Sequence, residues 1–330
     1  PLPHPREVSG HAPQVEVGFI APSERVFHVR TCTRRVMDGT KVRAVVLGTA
    51  QDGGYPQAGC MRSCCERARS DGGFSRTPVS LGIIGSNGTC HIIEVGRKIG
   101  EQIEIWKDLD GFEWPLESAS ITHAHLGHTD GLRLLGREVI GAEGITLHCS
   151  ESMLSLIHQT PTWNILVEGG VISPRQWESF TSFEPSPGCG FTITPIPVKH
   201  RAELSDNHAL LISGSSGSLL FMPDQDSWSE TIGESTIRDW LASLGADSAL
   251  IDGTFWSSSE LPGRDMTEIP HPTVSESLEL LGERSNGDPD ISFFHLNHTN
   301  PLHDENSEEF AIVSKMGWRI SKPGDVYVLG

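Results

Sequence analysis

The chain is short of aromatic residues and of positive charge. Of its 330 residues, 7% are aromatic and 37% hydrophobic, a composition typical of a soluble globular protein that buries a substantial core. Its 43 acidic residues outnumber its 25 basic ones, the formal charge is −18, and no basic stripe is visible. Because phosphate backbones bind clustered Lys and Arg, this charge argues against a nucleic-acid partner. An anionic substrate therefore has to rely on a metal and on local His or Arg side chains.

Long apolar segments are also missing. No apolar run reaches the length that spans a bilayer, and no apolar segment with a cleavage site opens the chain, so we predict no membrane partner. The chain begins at Pro1 instead of Met, and we expect that a leader or part of the N-terminus has been removed. A cytoplasmic location is favoured, with a removed leader as the open alternative. Residues 1–38, rich in Pro and polar residues, predict an extended arm before a single domain over residues 39–330.

The cysteines are odd in number and partly clustered. Seven cysteines argue against a secreted disulfide framework, and three of them, Cys60, Cys64 and Cys65, fall within one hexapeptide. Clustering indicates a metal site in preference to disulfides. The alternative, a loop with free or redox-active thiols, is less favoured because such thiols would be open to oxidation. Cys90 and Cys149 lie in apolar strands, where we expect small buried thiols.

The HAHLGH segment at residues 123–128 places three imidazoles within six positions. A strand predicted over residues 118–122 leads into it, so that His123 and His125 point the same way from the strand's carboxyl end and His128 closes the turn. Neutral imidazole is the commonest metal ligand, and a divalent ion so held lowers the pKa of bound water to about 7. We interpret the segment as a metal site. A His-rich turn open to solvent is the alternative.

Short apolar runs between turn residues predict strands, and helical periodicity ending at Gly predicts helices. The strands come in groups with helices late in each half, which favours an α/β fold of two sheets covered by helices over a strictly alternating parallel fold. Residues 213–218 predict a hairpin, and the loop-rich residues 160–190 predict a lid or insertion. Strands are predicted at residues 42–47, 79–84, 90–95, 118–122, 144–148, 191–198, 209–213, 218–222, 248–251, 291–296 and 326–329, and helices at 130–136, 233–244, 275–283 and 307–316.

The HAHLGH segment resembles the HxHxDH signature of the metallo-β-lactamase superfamily, with Gly127 where that family has Asp. The resemblance implies a four-layer αββα sandwich with one or two metals at the edge of its sheets. It places the third His of the first site at His200, the carboxylate shared by both sites at Asp224, and the last ligand at His295. Asp226 is the alternative carboxylate. A surface His or a turn Asp is the ordinary explanation of each position taken alone.

Without the family's Asp, the second site lacks a carboxylate, and we expect lower metal affinity there. The first site is expected to hold a catalytic Zn²⁺, Mn²⁺ or Fe²⁺, and the second to be occupied more weakly, with water where Gly127 leaves a gap. Related proteins place segments like those of His271 and Asp252 near the pocket, so both are candidates for protonating the leaving group, with structural roles as the alternative. The predicted ligands are His123, His125, His200 and Asp224 for the first ion, and His128, His295 and the same Asp224 for the second.

The segments LGTAQDGGYPQ at residues 47–57 and HLNHTNP at residues 295–301 narrow the resemblance. They are similar to the branch that contains the pyrroloquinoline-quinone biosynthesis B proteins and the cyclic phosphodiesterase of bacterial phosphonate degradation, and the resemblance runs from about Val42 to Asp304. The phosphodiesterase implies a structural zinc held by an early Cys cluster and by a His, which falls on His298 here. Its middle Cys falls on Arg62, so Cys64 has to serve beside Cys60 and Cys65.

The resemblance implies an enzyme acting on a small molecule. Metal-assisted hydrolysis of an ester or phosphodiester-type bond is favoured, because the chain keeps the His123 and His125 pair that the quinone-biosynthesis proteins lack. Those relatives are understood as iron-dependent oxidative enzymes acting on a modified tyrosine-containing precursor, so an iron-dependent oxygenase is the first alternative. A metal-binding protein with a degraded active site is the second. The oligomeric state is open, with a homodimer as one option.

Overall fold

A computed structural model of the protein describes residues 41–261, 263–266 and 269–330. The predicted arm over residues 1–38 lies outside this part, and the single domain over residues 39–330 stays a prediction. No helix within the described ranges is long and apolar enough to cross a bilayer. The strands are β1 Arg43–Gly48, β2 Ser80–Ile84, β3 Cys90–Ile93, β4 Leu116–Ser120, β5 Ile145–Cys149, β6 Ile172–Gln176, β7 Thr192–Pro197, β8 His208–Ser213, β9 Ser218–Met222, β10 Ser248–Asp252, β11 Asp290–Phe294, β12 Arg319–Ile320 and β13 Val326–Val328. The helices are α1 Glu66–Ser70, α2 Ile99–Asp110, α3 Leu126–Thr129, α4 Glu151–Gln159, α5 Pro161–Glu168, α6 Trp228–Ile232, α7 Ile237–Leu244, α8 Val274–Leu281 and α9 Glu308–Lys315.

The strands form two sheets. The seven-stranded sheet has the order β13-β1-β2-β3-β4-β5-β6, and the six-stranded sheet has the order β12-β11-β10-β9-β8-β7. Hairpin neighbours pair antiparallel, including β8 and β9 around the predicted turn at residues 213–218. Strands followed by a helix pair in parallel, as β4 does with β5 and β10 with β11. Parallel neighbours end at the same edge of a sheet, so the loops after them can share one site.

Both faces of each sheet are buried. In β1, Val45 and Leu47 pack with the helices on the outer face, whereas Ala44 and Val46 pack against the other sheet. The same alternation explains why the strands are almost continuous apolar runs. Helices α2, α4 and α5 cover the first sheet, and α6 to α9 cover the second. The result is four layers, which confirms the predicted αββα sandwich.

Three predicted elements are wrong. The helix predicted over residues 233–244 begins only at Ile237, because Gly233, with a positive φ of 61°, ends the preceding helix α6 and Thr236 caps α7 by accepting from the backbone N–H of Asp239. No α-helix starts at residues 130–136, where one is predicted: this range holds a 3₁₀ turn at Leu132–Leu135, and helix α3 lies before it, inside the HAHLGH segment. The first half of the predicted lid is α5 and β6, and β6 pairs in parallel with β5. As an edge strand with an exposed ISPRQ sequence, β6 lacks the apolar alternation that predicts strands.

Helix α2 packs against strand β2 so closely that no side-chain atom fits between Trp106 and the backbone of Gly82. Trp106 of α2 is fully buried and stacks on Phe112 with ring centroids 4.6 Å apart. A Cβ added at Gly82 of β2 would lie 2.5 Å from the Trp106 ring. Glycine at this position therefore lets the helix seat on the sheet.

We expect Gly82→Ala to lower the free energy of unfolding by about 1–3 kcal/mol, because the Trp106 ring has to leave its packed position. Chemical denaturation measures the change. Gly100→Ala in the same helix is the matched control, since a Cβ there meets nothing within 4 Å and Ala favours helix over Gly. Equal destabilisation by both substitutions would contradict the packing described.

Candidate metal centre

The predicted site residues gather at one edge of the sandwich, where strands of both sheets end. Backbone hydrogen bonds join the sheets there: Leu296 N donates to Thr49 O and Gln51 N to Leu296 O, each at 2.9 Å, and His208 N donates to Thr122 O at 3.3 Å. Parallel pairing within each sheet brings the following loops to the same side. The residues and the strands they follow are Asp52 after β1, His123, His125 and His128 after β4, His200 after β7, Asp224 after β9, and His295 after β11.

The first group consists of His123, His125 and His200. One ligand atom of each lies within 4.8 Å of the others. The ring centroids of His123 and His125 are 4.5 Å apart, and those of His125 and His200 are 5.0 Å apart. Oδ1 of Asp224 lies 3.4 Å from Nε2 of His200. The structure therefore brings together the four residues predicted to hold the first ion.

The second group shares Asp224 with the first. Its Oδ2 lies 3.2 Å from Nε2 of His128 and 3.5 Å from Nε2 of His295. Oδ1 of Asp52 lies 3.4 Å and 3.9 Å from the same two nitrogens. A second carboxylate, that of Asp52, therefore lies beside this group, and the expectation based on Gly127 did not include it. Asp52 belongs to the LGTAQDGGYPQ segment, and its position in the loop after β1, before two glycines, is the only sign of it in the sequence.

A buried carboxylate orients the imidazoles that leave β4. Glu94 follows β3, is fully buried and has a φ of 66°, which is rare for a residue with a side chain. Its Oε1 accepts from Thr122 Oγ1 at 2.5 Å and lies 3.2 Å from Nδ1 of His128. Because the Thr122 hydroxyl donates to Glu94, it accepts from Nδ1 of His123 at 2.9 Å. The Thr122 hydroxyl thereby holds the His123 ring at Nδ1, and Glu94 lies beside Nδ1 of His128 without hydrogen-bond geometry, so that Nε2 of each ring is left for the site.

Asp252 plays the matching part in the second sheet. Thr254 Oγ1 donates to Asp252 Oδ1 at 2.7 Å and accepts from Nδ1 of His295 at 2.9 Å. The other Asp252 oxygen accepts from Nδ1 of His271 at 2.7 Å. His271 also forms a group with His200 and Asp224 whose ligand atoms lie within 4.8 Å of one another. His271 and Asp252, the two predicted candidates for protonating the leaving group, are therefore hydrogen-bonded to each other and lie next to the first group.

Asp226 does not replace Asp224. It accepts from Nδ1 of His200 at 3.2 Å and from the backbone N–H of Arg201 at 3.3 Å. It therefore contacts His200 on the ring nitrogen that faces away from Asp224. Asp224 is the carboxylate that faces both groups, as predicted, and Asp226 orients one imidazole from outside.

Burial and neighbouring charges act against each other in the site. Burial raises the pKa of Asp224, but the charges of His295 and His200 outweigh it, and the pKa lies well below its usual value. Burial, the largest cause, lowers the pKa of His123 well below its usual value, so this imidazole is neutral. Burial, the largest single cause, also lowers the pKa of His128, but the carboxylates of Glu94, Asp224 and Asp52 together outweigh it, and this pKa lies well above its usual value. Asp224 and His123 are thus in the forms that bind metals, an ionised carboxylate and a neutral imidazole, whereas His128 has to release a proton when a metal binds.

Several buried atoms at this edge have no hydrogen-bond partner among the residues that the structure describes. Unpartnered buried polar atoms cost free energy unless something else binds them. Some of these atoms approach each other, but without hydrogen-bond geometry. Convergent imidazole nitrogens and carboxylate oxygens fit Zn²⁺, Mn²⁺ or Fe²⁺. The atoms include Nε2 of His123, His125, His128 and His295, Oδ2 of Asp224, Nδ1 of His128 and Oε2 of Glu94.

The cysteine cluster meets His298 beside the metal centre. Sγ of Cys60 and Cys64 are 3.6 Å apart, and Nδ1 of His298 lies 3.5 Å from Sγ of Cys64 and 3.3 Å from Sγ of Cys65. All four ligand atoms lie within 4.8 Å of one another. Arg62 is exposed and stands outside the group, so Cys64 is the third sulfur. Burial raises the pKa of the Cys60 thiol, but hydrogen bonds with Arg62 lower it to about 7.

Tyr55 and His303 join the two loops that carry Asp52 and His295. Their rings stack with centroids 4.0 Å apart and planes within 5°. Nε2 of His303 donates to the backbone O of Asn297 at 3.1 Å. Burial lowers the pKa of His303 to about 3, although the bond with Asn297 opposes the shift. The ring is therefore neutral at physiological pH.

Comparison with known families and structures agrees with this geometry. Residues 115–287, more than half of the chain, match the family described as Beta-lactamase superfamily domain. The chain belongs to this superfamily, as the HAHLGH segment predicted.

Individual relatives place the similarity in one branch of this superfamily. The chain is 25% identical over 317 residues to the Coenzyme PQQ synthesis protein B of Xanthomonas euvesicatoria, covering 86% of this chain and 98% of that protein. It is 26% identical over 310 residues, with the same coverage, to that of Methylobacterium radiotolerans. These similarities confirm the predicted resemblance to that branch.

Solved structures share the fold. The crystal structure of Zn²⁺-bound PqqB from Methylobacterium extorquens superposes with a TM-score of 0.70 at 22% identity, covering 87% of this chain and all of that one. A diphosphatase of the PhnP family superposes with a TM-score of 0.58 at 18% identity, covering 87% of this chain and 97% of that one. At these identities the superpositions show the fold alone.

We expect His303→Gln to weaken the dependence of stability on pH. The native ring has a pKa of about 3, whereas in the unfolded chain it is about 6.5. Between these values the unfolded state binds the extra proton, so stability falls as the pH drops, by about 1.4 kcal/mol per pH unit. Urea denaturation at pH 7 and pH 5 should show a smaller loss for His303→Gln than for the wild type. His158→Gln, at an exposed position of α4, should match the wild type, and equal losses in all three would contradict a buried neutral His303.

Proposed function

We propose that the protein is a metal-dependent hydrolase acting on an ester or phosphodiester-type bond. The observation that carries the proposal is the position of the His271 and Asp252 pair beside the ligand group of His123, His125 and His200. A divalent ion bound there supplies Lewis acidity and activates water for attack. Three imidazole nitrogens and Asp224 Oδ1 suit such an ion while leaving coordination space for a substrate.

The pair can hold the proton that a leaving group needs. Burial lowers the pKa of His271, but the charge and hydrogen bond of Asp252 outweigh it, and the pKa lies above its usual value. A protonated imidazole bonded to Asp252 through Nδ1 has Nε2–H left to donate. Protonation of the leaving oxygen by a positioned imidazole is worth about 10²–10⁴-fold in rate.

A cavity beside the site supports an anionic small-molecule substrate. It has a volume of about 440 Å³, and Arg62 and Arg264 line it. Gln51, next to Asp52, and Phe255, whose ring contacts His271 with centroids 5.9 Å apart, form other parts of its wall. In a chain with a formal charge of −18, two guanidinium groups facing one cavity favour negative ligands locally. The structural relative described as a diphosphatase is consistent with such a substrate.

Iron-dependent oxidation is the second candidate. Asp52, His128 and His295 make a group of one carboxylate and two imidazoles. That donor set with open positions is typical of non-haem Fe²⁺ oxygenases. The similarity to Coenzyme PQQ synthesis protein B also supports this candidate, since the resemblance to that branch implies iron-dependent oxidation. Oxygen consumption by the Fe²⁺-loaded protein, without hydrolysis by the Zn²⁺- or Mn²⁺-loaded protein, would select it.

Hydrolysis should depend on His271 in proportion to the basicity of the leaving group. We expect Zn²⁺- or Mn²⁺-loaded protein to hydrolyse phosphodiesters or carboxylic esters, tested with 4-nitrophenyl, phenyl and alkyl leaving groups. His271→Ala should lower kcat by about 10²–10⁴-fold for the poor alkyl leaving group and much less for 4-nitrophenolate, which needs no proton.

Metal content, measured by elemental analysis, separates a loss of chemistry from a loss of the site. His271→Ala should keep the metal of the wild type, whereas His123→Ala should lose it. His158→Ala, at an exposed position of α4, should change neither rate nor metal content. Absence of turnover with every ester, or an equal rate loss for all leaving groups, would contradict the assigned role.

We also propose a structural zinc held by Cys60, Cys64, Cys65 and His298. Three thiolates and one imidazole form a closed tetrahedral donor set, which leaves no position for a substrate. We expect Cys65→Ala to lose one equivalent of zinc and to lower the melting temperature. Cys149→Ala, which removes an equally buried thiol from the core cluster of the first sheet, should keep all zinc. If neither Cys65→Ala nor His123→Ala changes the bound metal, both metal assignments are wrong.

A further inference from the structure

We propose that Asp52 is a metal ligand of the second group and takes the place of the Asp that the HxHxDH signature has at position 127. The proposal rests on the metal-dependent function proposed above. It changes the expected composition of the site, because the second ion then has as many ligands from the chain as the first.

Space around Gly127 is the first observation. A Cβ at Gly127 would lie 2.0 Å from Oδ1, 2.5 Å from Cγ and 2.6 Å from Cα of Asp52. Distances under 3 Å exclude the simultaneous presence of a side chain at position 127 and the Asp52 carboxylate where it stands. Glycine at 127 is therefore the condition that admits Asp52, and an Asp at 127 would displace it.

The direction in which the Asp52 carboxylate points is the second observation. The Asp52 Oδ1 atom lies 3.4 Å from Nε2 of His128 and 3.9 Å from Nε2 of His295. Both nitrogens are buried and lack a hydrogen-bond partner among the described residues. Oδ2 of Asp224 faces the same two nitrogens from 3.2 Å and 3.5 Å. Two nitrogens and two carboxylate oxygens thus converge, a donor set that suits Zn²⁺, Mn²⁺ or Fe²⁺.

The backbone holds Asp52 in this position. Leu296 N donates to Thr49 O and Gln51 N donates to Leu296 O, each at 2.9 Å. These bonds pair the residue before Asp52 with the residue after His295. A tight turn closed by Gly54 N donating to Gln51 O at 2.7 Å follows at once. Asp52 is therefore presented from a fixed backbone on a loop tied to both sheets.

The test loads the protein with Mn²⁺ and combines elemental analysis with electron paramagnetic resonance. We expect the wild type to show a spin-coupled Mn²⁺ pair, because Asp224 faces both groups. Asp52→Ala should lose one equivalent of Mn²⁺ and show only isolated ions. Asp71→Ala, an exposed Asp that accepts from Gly73 N, is the matched control and should keep the coupled pair.

The conservative variant Asp52→Asn is the sharper form of the test. It keeps the shape of the side chain, removes its charge and should weaken binding of the second ion at least about tenfold. A substitution at Gly127 cannot replace this test, because a Cβ there would lie 2.6 Å from the backbone Cα of residue 52 whatever side chain that residue carries.

The proposal is overturned if Asp52→Ala and Asp52→Asn bind both ions as the wild type does, or if the wild type binds a single ion in this site. This test measures metal binding and does not depend on enzymatic turnover. A wild type that binds the coupled pair but hydrolyses no ester leaves Asp52 as a ligand and rejects the hydrolase. A wild type that hydrolyses esters while Asp52→Ala keeps both ions rejects only the role of Asp52.

Discussion

The site depends on the Asp224 carboxylate, which stands almost fully buried between two groups of imidazoles and gives one oxygen to each. An ionised carboxylate cannot stay in such a place unless positive charge surrounds it. In the chain itself, the His side chains supply that charge and keep the pKa of Asp224 low. A divalent ion on each side would do so more strongly and would release the protons that the imidazoles otherwise hold.

The surroundings of the site repeat one arrangement in both sheets. In the first sheet Glu94 holds His123 through the Thr122 hydroxyl, and in the second Asp252 holds His295 through the Thr254 hydroxyl. In each case a threonine hydroxyl donates to a buried carboxylate and accepts from Nδ1 of the imidazole. This fixes the orientation of the ring and leaves Nε2 directed into the site. Glu94 and His295 both have positive φ angles. Backbone strain of this kind persists only where surrounding contacts hold it, and it concentrates at functional sites.

The sequence predicted the strands well because each is an apolar run between turn residues, and it predicted His123, His200 and His295 because each follows such a run. It failed for β6, whose edge position removes the apolar pattern, and for the helix break at Gly233. It also missed Asp52 and Glu94. A ligand close to its partners in sequence leaves a motif, whereas a carboxylate that meets His128 only through tertiary packing leaves none. The empty space at Gly127 can be recognised only once the chain is folded.

The relation between Gly127 and Asp52 has a consequence for how such a site arises in evolution. With an aspartate at both positions the two side chains collide, and with glycine at both the second group has no carboxylate of its own. A change at only one of the two positions therefore either makes side chains collide or removes the carboxylate from the second group. The two positions should therefore vary together among homologues. A search that demands an acidic residue in the HxHxDH pattern would set such proteins aside as inactive, although the carboxylate is present on another loop.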